Sequence, residues 1–201
     1  MLERAFEAGV PRAWVVADTV YGGDRRLRMY VEAQGQPFVL AVPANEPLWG
    51  GGPTSSQARA LAQQAAPEQW ERCSAGEGAK GPRLYDWALV ELWRLQLTAE
   101  EWVWGHYLLV RRSVEDPSDL AYYVVFARRD GLSLDMLVRV AGSRWRIEAA
   151  FEAAKSDCGL DEYEVRKWPA WKRHITLALL AHAFLVVVRQ QEHKKGGPSR
   201  S

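Results

Sequence analysis

Two apolar, β-branched runs flank one amphipathic segment near the start of the chain, and this arrangement limits the fold more than any other feature. "AWVVAD" (13–18) and "PFVLAVP" (37–43) have the composition of buried strands. Between them "DRRLRMYVEAQ" (24–34) reads as a helix, with Asp24 as its N-cap and Gly35 as its stop. Strand, helix and strand in such a short span form a parallel βαβ unit with a right-handed crossover. Parallel sheets are normally covered on both faces and contain more strands, so two parallel strands alone make an incomplete sheet.

The rest of the chain follows a different pattern. Residues 2–8 read as the end of a helix, stopped by Gly9 and Pro11. Residues 43–56 are loop-like, 56–66 helical and 67–81 rich in turn residues. The runs 83–97, 101–114 and 120–129 read as three antiparallel strands, with "EDPSD" as the turn between the last two. Ser133 is placed to cap one long helix over 134–157, closed by Gly159, and a final helix is expected over 170–192. The expected organisation is a parallel core piece (1–44), a β-rich excursion (45–130), two helices (131–192) and a disordered basic tail (193–201). Within the final helix, Ile175–Val188 is the longest apolar run and contains His182. It is shorter than the roughly 20 residues of a membrane span, so it reads as a buried core helix and no membrane is expected as a partner.

Composition narrows the function classes only slightly. At 48% hydrophobic and 25% charged residues, the chain has the profile of a soluble globular protein. Its net charge of +1 is unevenly spread. From Arg166 onward there are eight Lys/Arg against Glu192 alone, a local +7 that leaves −6 on residues 1–165. A basic end on an acidic body suits a polyanionic partner, although a solvated helix face with a frayed tail has the same charges. Cys73 and Cys158 are isolated, so neither a disulfide framework nor a zinc site is read. Residues 1–13 lack the apolar stretch of a signal peptide, and a cytoplasmic location is expected.

Two places look equipped for chemistry. Asp18 stands at the carboxyl end of the first strand, where open α/β sheets gather functional groups and where an aspartate also caps turns. In "GSRWRIEAAFEAAKSDCGL" (142–160), Arg144, Glu148 and Lys155 fall along one side of the expected helix. As surface ion pairs they contribute only about 0.2–0.5 kcal/mol each. The small residues around them instead predict a closely packed helix whose charged stripe lines a cleft. Two carboxylates from distant parts of the chain are the minimum for a two-metal phosphoryl-transfer site, and adjacent Arg and Lys hold phosphates.

The helix resembles the signature of DDE-type insertion-sequence transposases, in which Tyr, Arg, Glu and Lys recur with two, three and six residues between them. Arg144, Glu148 and Lys155 fit that spacing, while Ala141 stands at the Tyr position. "RWRIEAAFEAAKSDCGLDEYEVR" is similar to the family's pattern, and "VVADTVYG" resembles the strand carrying the family's second catalytic aspartate. The resemblance covers 14–22 and 142–190 and implies a partial α/β ribonuclease H-like fold, two parallel strands plus helices, with a β-rich insertion. It implies Asp18 and Glu148 as ligands of a two-metal Mg²⁺ or Mn²⁺ site. It further implies that Arg144 and Lys155, with Arg166 and Lys167 opening the basic segment, bind DNA at transposon ends. Family members of this branch stack a flipped base on an aromatic of the insertion, for which Trp87, Trp93, Trp102 and Trp104 are candidates. The expected partners are DNA and a second copy or a full-length transposase, in a bacterial cytoplasm and on the nucleoid when DNA-bound. Residues 1–17 hold no aspartate, so the family's first catalytic aspartate is missing. The expectation is therefore a C-terminal part of a transposase, inactive alone and with an exposed strand edge, or else a non-catalytic DNA-binding protein.

Overall fold

A computed structural model describes residues 2–78, 81–94 and 98–195. In chain order the elements begin with α1 (Leu2–Glu7), β1 (Val15–Ala17), α2 (Thr19–Gly22), α3 (Arg25–Ala33) and β2 (Phe38–Val42). They continue with β3 (Pro47–Trp49), β4 (Ser55–Gln57), α4 (Ala58–Ala62), β5 (Glu71–Gly78), β6 (Gly81–Glu91), α5 (Ala99–Trp102), β7 (Trp104–Ser113) and β8 (Leu120–Arg128). Three helices close the series, α6 (Leu134–Ser143), α7 (Trp145–Cys158) and α8 (Trp168–Lys195). The chain divides into two compact units, Met1–Arg144 and Trp145–Ser201.

The first unit is a mixed α/β structure built on one six-stranded sheet of order β1-β2-β8-β7-β6-β5. The parallel pair is present, with Val15, Val16 and Ala17 opposite Phe38, Val39 and Leu40. β2 then pairs antiparallel with β8, Phe38 facing Phe126, and the remaining strands are antiparallel. Strands β5 to β8 thus extend the sheet that holds β1 and β2, while β3 and β4 pair in a separate two-stranded sheet. β1 has no strand partner on its outer side among the described residues.

Alternation along the strands places two cores on the two faces of this sheet. Phe38, Leu40, Val42, Leu108, Val110, Val124 and Phe126 pack with Val31 of α3 and with α4 on one face. Val39, Trp87, Tyr107, Leu109, Val125 and Ala127 pack with Leu137, Val138 and Ala141 of α6 on the other. α6 approaches β5 very closely. A Cβ built on Gly142 would lie 2.1 Å from the carbonyl oxygen of Ala75, so only glycine fits there. Arg83 ties the contact by donating to the carbonyls of Ala75 (2.7 Å) and Gly142 (3.3 Å).

Several sequence expectations need correction. The turn-rich stretch 67–81 contains β5, so the antiparallel block has four strands. The helix expected over 56–66 is the shorter α4, preceded by β4. β6 ends at Glu91, short of the expected 97, and 95–97 lie outside the described residues. The helix expected over 134–157 is two helices meeting at Arg144, just after the Gly142–Ser143 pair, a combination that commonly breaks helices. α8 continues to Lys195, and the rest of the expected tail lies outside the described residues.

The second unit is built on α7 and α8. Gly159, at φ +60°, turns the chain after α7, and Leu160 folds back onto Ala154 and Ala178 as a small core. Arg189 of α8 reaches Asp157 of α7 at 2.9 Å. α7 is not the closely packed helix that its small residues predict, since its first eight residues are all exposed. α8 is not the buried core helix expected either: Leu177, Leu180, Phe184 and Val187 are exposed along one side of it. By length and composition Trp168–Glu192 is a helix able to cross a membrane, a test that apolar helices of soluble proteins also pass.

Candidate functional site

Asp18 sits at the end of β1 as the N-cap of α2. Its Oδ1 accepts from the backbone N–H of Val20 at 3.1 Å and of Tyr21 at 3.4 Å. Two orphan donors of the helix start are thereby satisfied. The carboxylate is exposed, and its Oδ2 takes no hydrogen bond among the described residues. The capping reading of Asp18 is therefore met, with one oxygen left for a further partner.

Glu148 and Lys155 lie in the other unit, both exposed on α7. Seven residues make nearly two turns, so they share one side of the helix about 10 Å apart along its axis. Arg144 stands before the break, as the C-cap of α6 in the first unit. There it is near Tyr123, whose hydroxyl is held above its ordinary pKa by burial, against the pull of Arg111 and Arg144. The three charged residues expected on one helix are thus split between two helices.

Carboxylates are suitable ligands for Mg²⁺ or Mn²⁺, but such ions take several oxygen ligands. Among the described residues no three His, Cys, Asp or Glu side chains group together as a metal site requires. Each unit contributes one of the expected carboxylates, Asp18 in the first and Glu148 in the second. Neither unit alone provides a complete ligand set among its described residues.

The four tryptophans have different surroundings. Trp87 is 1% exposed, enclosed by Tyr85 and Tyr123, and has no open face for a base. Trp104 stacks on Phe126 with ring centroids 4.5 Å apart. Trp102 is exposed at the end of α5. Trp93 lines a cavity of about 370 Å³ together with Trp49, Arg25, Arg28, Glu32, Arg94 and His106.

Charges beside this cavity are paired. Arg28 bonds Glu46 at 2.6 Å with both side chains buried, and Arg94 reaches Glu32 at 2.7 Å. His106 Nε2 lies 3.4 Å from Glu32 and 3.2 Å from Arg94 Nη1. Burial raises the Glu32 carboxyl, yet His106 and Arg94 together hold it below the usual carboxylate range. Sequence reasoning missed this cavity because its lining comes from segments between residues 25 and 124. The available signal was a pair of charges, Arg28 and Glu32, one turn apart in a helix that must bury Val31.

Arg166 and Lys167 are exposed just before α8 and make no ion pair among the described residues. The two tryptophans that follow them, Trp168 and Trp171, were also missed. "RKWPAWKR" (166–173) alternates cations with aromatics, a pattern that marks nucleic-acid contact surfaces.

Residues 1–184 of the chain match a protein family described as the transposase DDE domain. No curated protein matches it.

Proposed function

Because this chain belongs to the transposase DDE domain family, whose members act on DNA in transposition and generally use divalent metal ions, we propose that it engages the DNA ends of an insertion sequence. The family match spans both the strand that ends at Asp18 and the helix that carries Glu148 and Lys155, and this observation carries the reading. Asp18 and Glu148 are two of the carboxylates for Mg²⁺ or Mn²⁺. Arg144 and Lys155 contact phosphates at the cut end, and Arg166 and Lys167 contact phosphates further along the strand. A divalent ion held by these carboxylates and further oxygen ligands would supply Lewis-acid polarisation of a phosphate oxygen.

Binding and cutting are separable for this chain. The acids do not group in threes among the described residues. The exposed cations before α8, by contrast, make no ion pair among the described residues. The chain alone therefore binds DNA without cutting it. Cleavage then needs further oxygen ligands beside those of Asp18 and Glu148. This is the non-catalytic alternative, and the incomplete acid set is what favours it.

The test is incubation of the whole chain with supercoiled plasmid and Mg²⁺ or Mn²⁺. Retarded but intact plasmid is expected. Nicking that disappears in Glu148→Gln would overturn the binding-only reading, and failure to retard the plasmid at low salt would overturn the DNA-acting reading itself.

A further inference from the structure

The start of α8 combines two features that a solvated helix end does not need. The rings of Trp168 and Trp171 stack 4.7 Å apart with 13° between their planes. Trp171 is the inner ring, edge-on to Tyr163 at 6.3 Å. Tyr163 packs in turn against His174, whose Nε2 donates to the Gly159 carbonyl at 3.0 Å. Trp168 is the outer ring, 62% exposed, and Lys172 Nζ lies 5.3 Å from its centroid. A preformed aromatic stack therefore presents its outer member to solvent.

Around it, Arg166, Lys167, Lys172 and Arg173 are all exposed and have no ion pair among the described residues. They cluster where the helix dipole is already positive, and the first turn contains no acid to offset them. This concentration of charge is unfavourable until an anion reaches it. The ligand that satisfies both features is a polyanion with flat apolar faces to give. Duplex DNA keeps its base faces stacked on one another, whereas an unpaired stretch has them free.

We propose that Arg166–Arg173 is a binding site for unpaired DNA: Trp168 stacks one base, and Arg166, Lys167, Lys172 and Arg173 hold the flanking phosphates. The proposal rests on the reading of the chain as DNA-acting and adds the single-stranded substrate and the residues that select it.

The experiment uses the whole chain and two DNA probes, a blunt duplex and the same duplex with a short single-stranded overhang carrying 2-aminopurine. The overhang is expected to bind more tightly, with 2-aminopurine emission quenched on binding. Trp168→Ala should weaken overhang binding by about ten-fold, leave blunt binding within about two-fold and abolish the quenching. Trp168→Tyr, which keeps a stacking face, should restore most of the binding and so separate loss of stacking from loss of folding. Equal effects of Trp168→Ala on both probes, or none on either, overturn this inference while leaving DNA binding intact. Failure of both probes to bind overturns the DNA-acting reading as well. Binding to phosphatidylserine vesicles in preference to either DNA would assign the patch to a membrane surface and overturn the proposal.

Discussion

Gly142→Ala sets two opposing effects against each other at one position. In an open helix, replacing glycine with alanine stabilises by roughly 1 kcal/mol through helix propensity. At Gly142 the added methyl would lie 2.1 Å from the carbonyl oxygen of Ala75 and 2.8 Å from its carbonyl carbon. Both are backbone atoms, and no rotamer change can move them. Ordinary contact would require α6 to retreat from β5 by roughly 1.3 Å, which opens space beside the buried Leu137 and Val138. It would also stretch the Arg83 bridge between the two carbonyls. Overpacking of this kind costs about 1–3 kcal/mol, and the misplaced core side chains add to it. The clash outweighs propensity, and a net loss of about 1–2 kcal/mol is expected. For a unit of this size that lowers Tm by roughly 2–8 °C. Differential scanning calorimetry of the whole chain reads the shift. A variant as stable as the parent, or more stable, would refute the close packing of α6 on β5.

Three further outcomes follow from particular residues. Glu32 is held below the usual carboxylate range, so its folded form favours the charged state. Its contribution is complete above the unfolded pKa of about 4.3 and is lost as pH falls toward the folded value. In urea titrations Glu32→Gln should therefore destabilise at neutral pH and converge with the parent as pH falls through the depressed folded value; a difference that stays constant as pH falls would contradict the pairing with His106 and Arg94. Leu180 is 64% exposed on α8, and Leu180→Gln should change stability by no more than about 0.5 kcal/mol. A loss of about 2 kcal/mol or more in chemical denaturation would instead show the buried helix that its apolar sequence predicts. Lys155→Gln should weaken DNA binding and lower its salt dependence with no change in thermal stability, since Lys155 is exposed and makes no ion pair among the described residues.

Features set by local chemistry were legible in the sequence. Asp24 and Ser133 cap their helices with the side-chain bonds expected, to Arg26 N at 2.8 Å and to Met136 N at 3.2 Å. The parallel pairing of β1 and β2 followed from two apolar runs and the helix between them. β5 was not legible because "ERCSAGEG" contains two glycines, a serine and three charges, and its strand form depends on pairing with β6 and on cover from α6. The junction of β2 with β8 joins residues as far apart as Phe38 and Phe126, which no local pattern reveals. α8 shows the opposite error. A helix with so long an apolar run reads as buried, yet burial depends on what is packed against it, and α7 covers it around Ala178. For the site, the spacing of Glu148 and Lys155 was readable, whereas the break at Arg144 and the Trp168–Trp171 stack depend on three-dimensional packing.

The most direct measurement is fluorescence anisotropy of the whole chain with a labelled DNA duplex, repeated from about 50 to 200 mM salt. If the exposed cations of α7 and of the α8 start are DNA contacts, the logarithm of affinity falls linearly with the logarithm of salt, and Lys155→Gln reduces the slope by about one. Binding that salt does not weaken, or no binding at the lowest salt, would contradict the account.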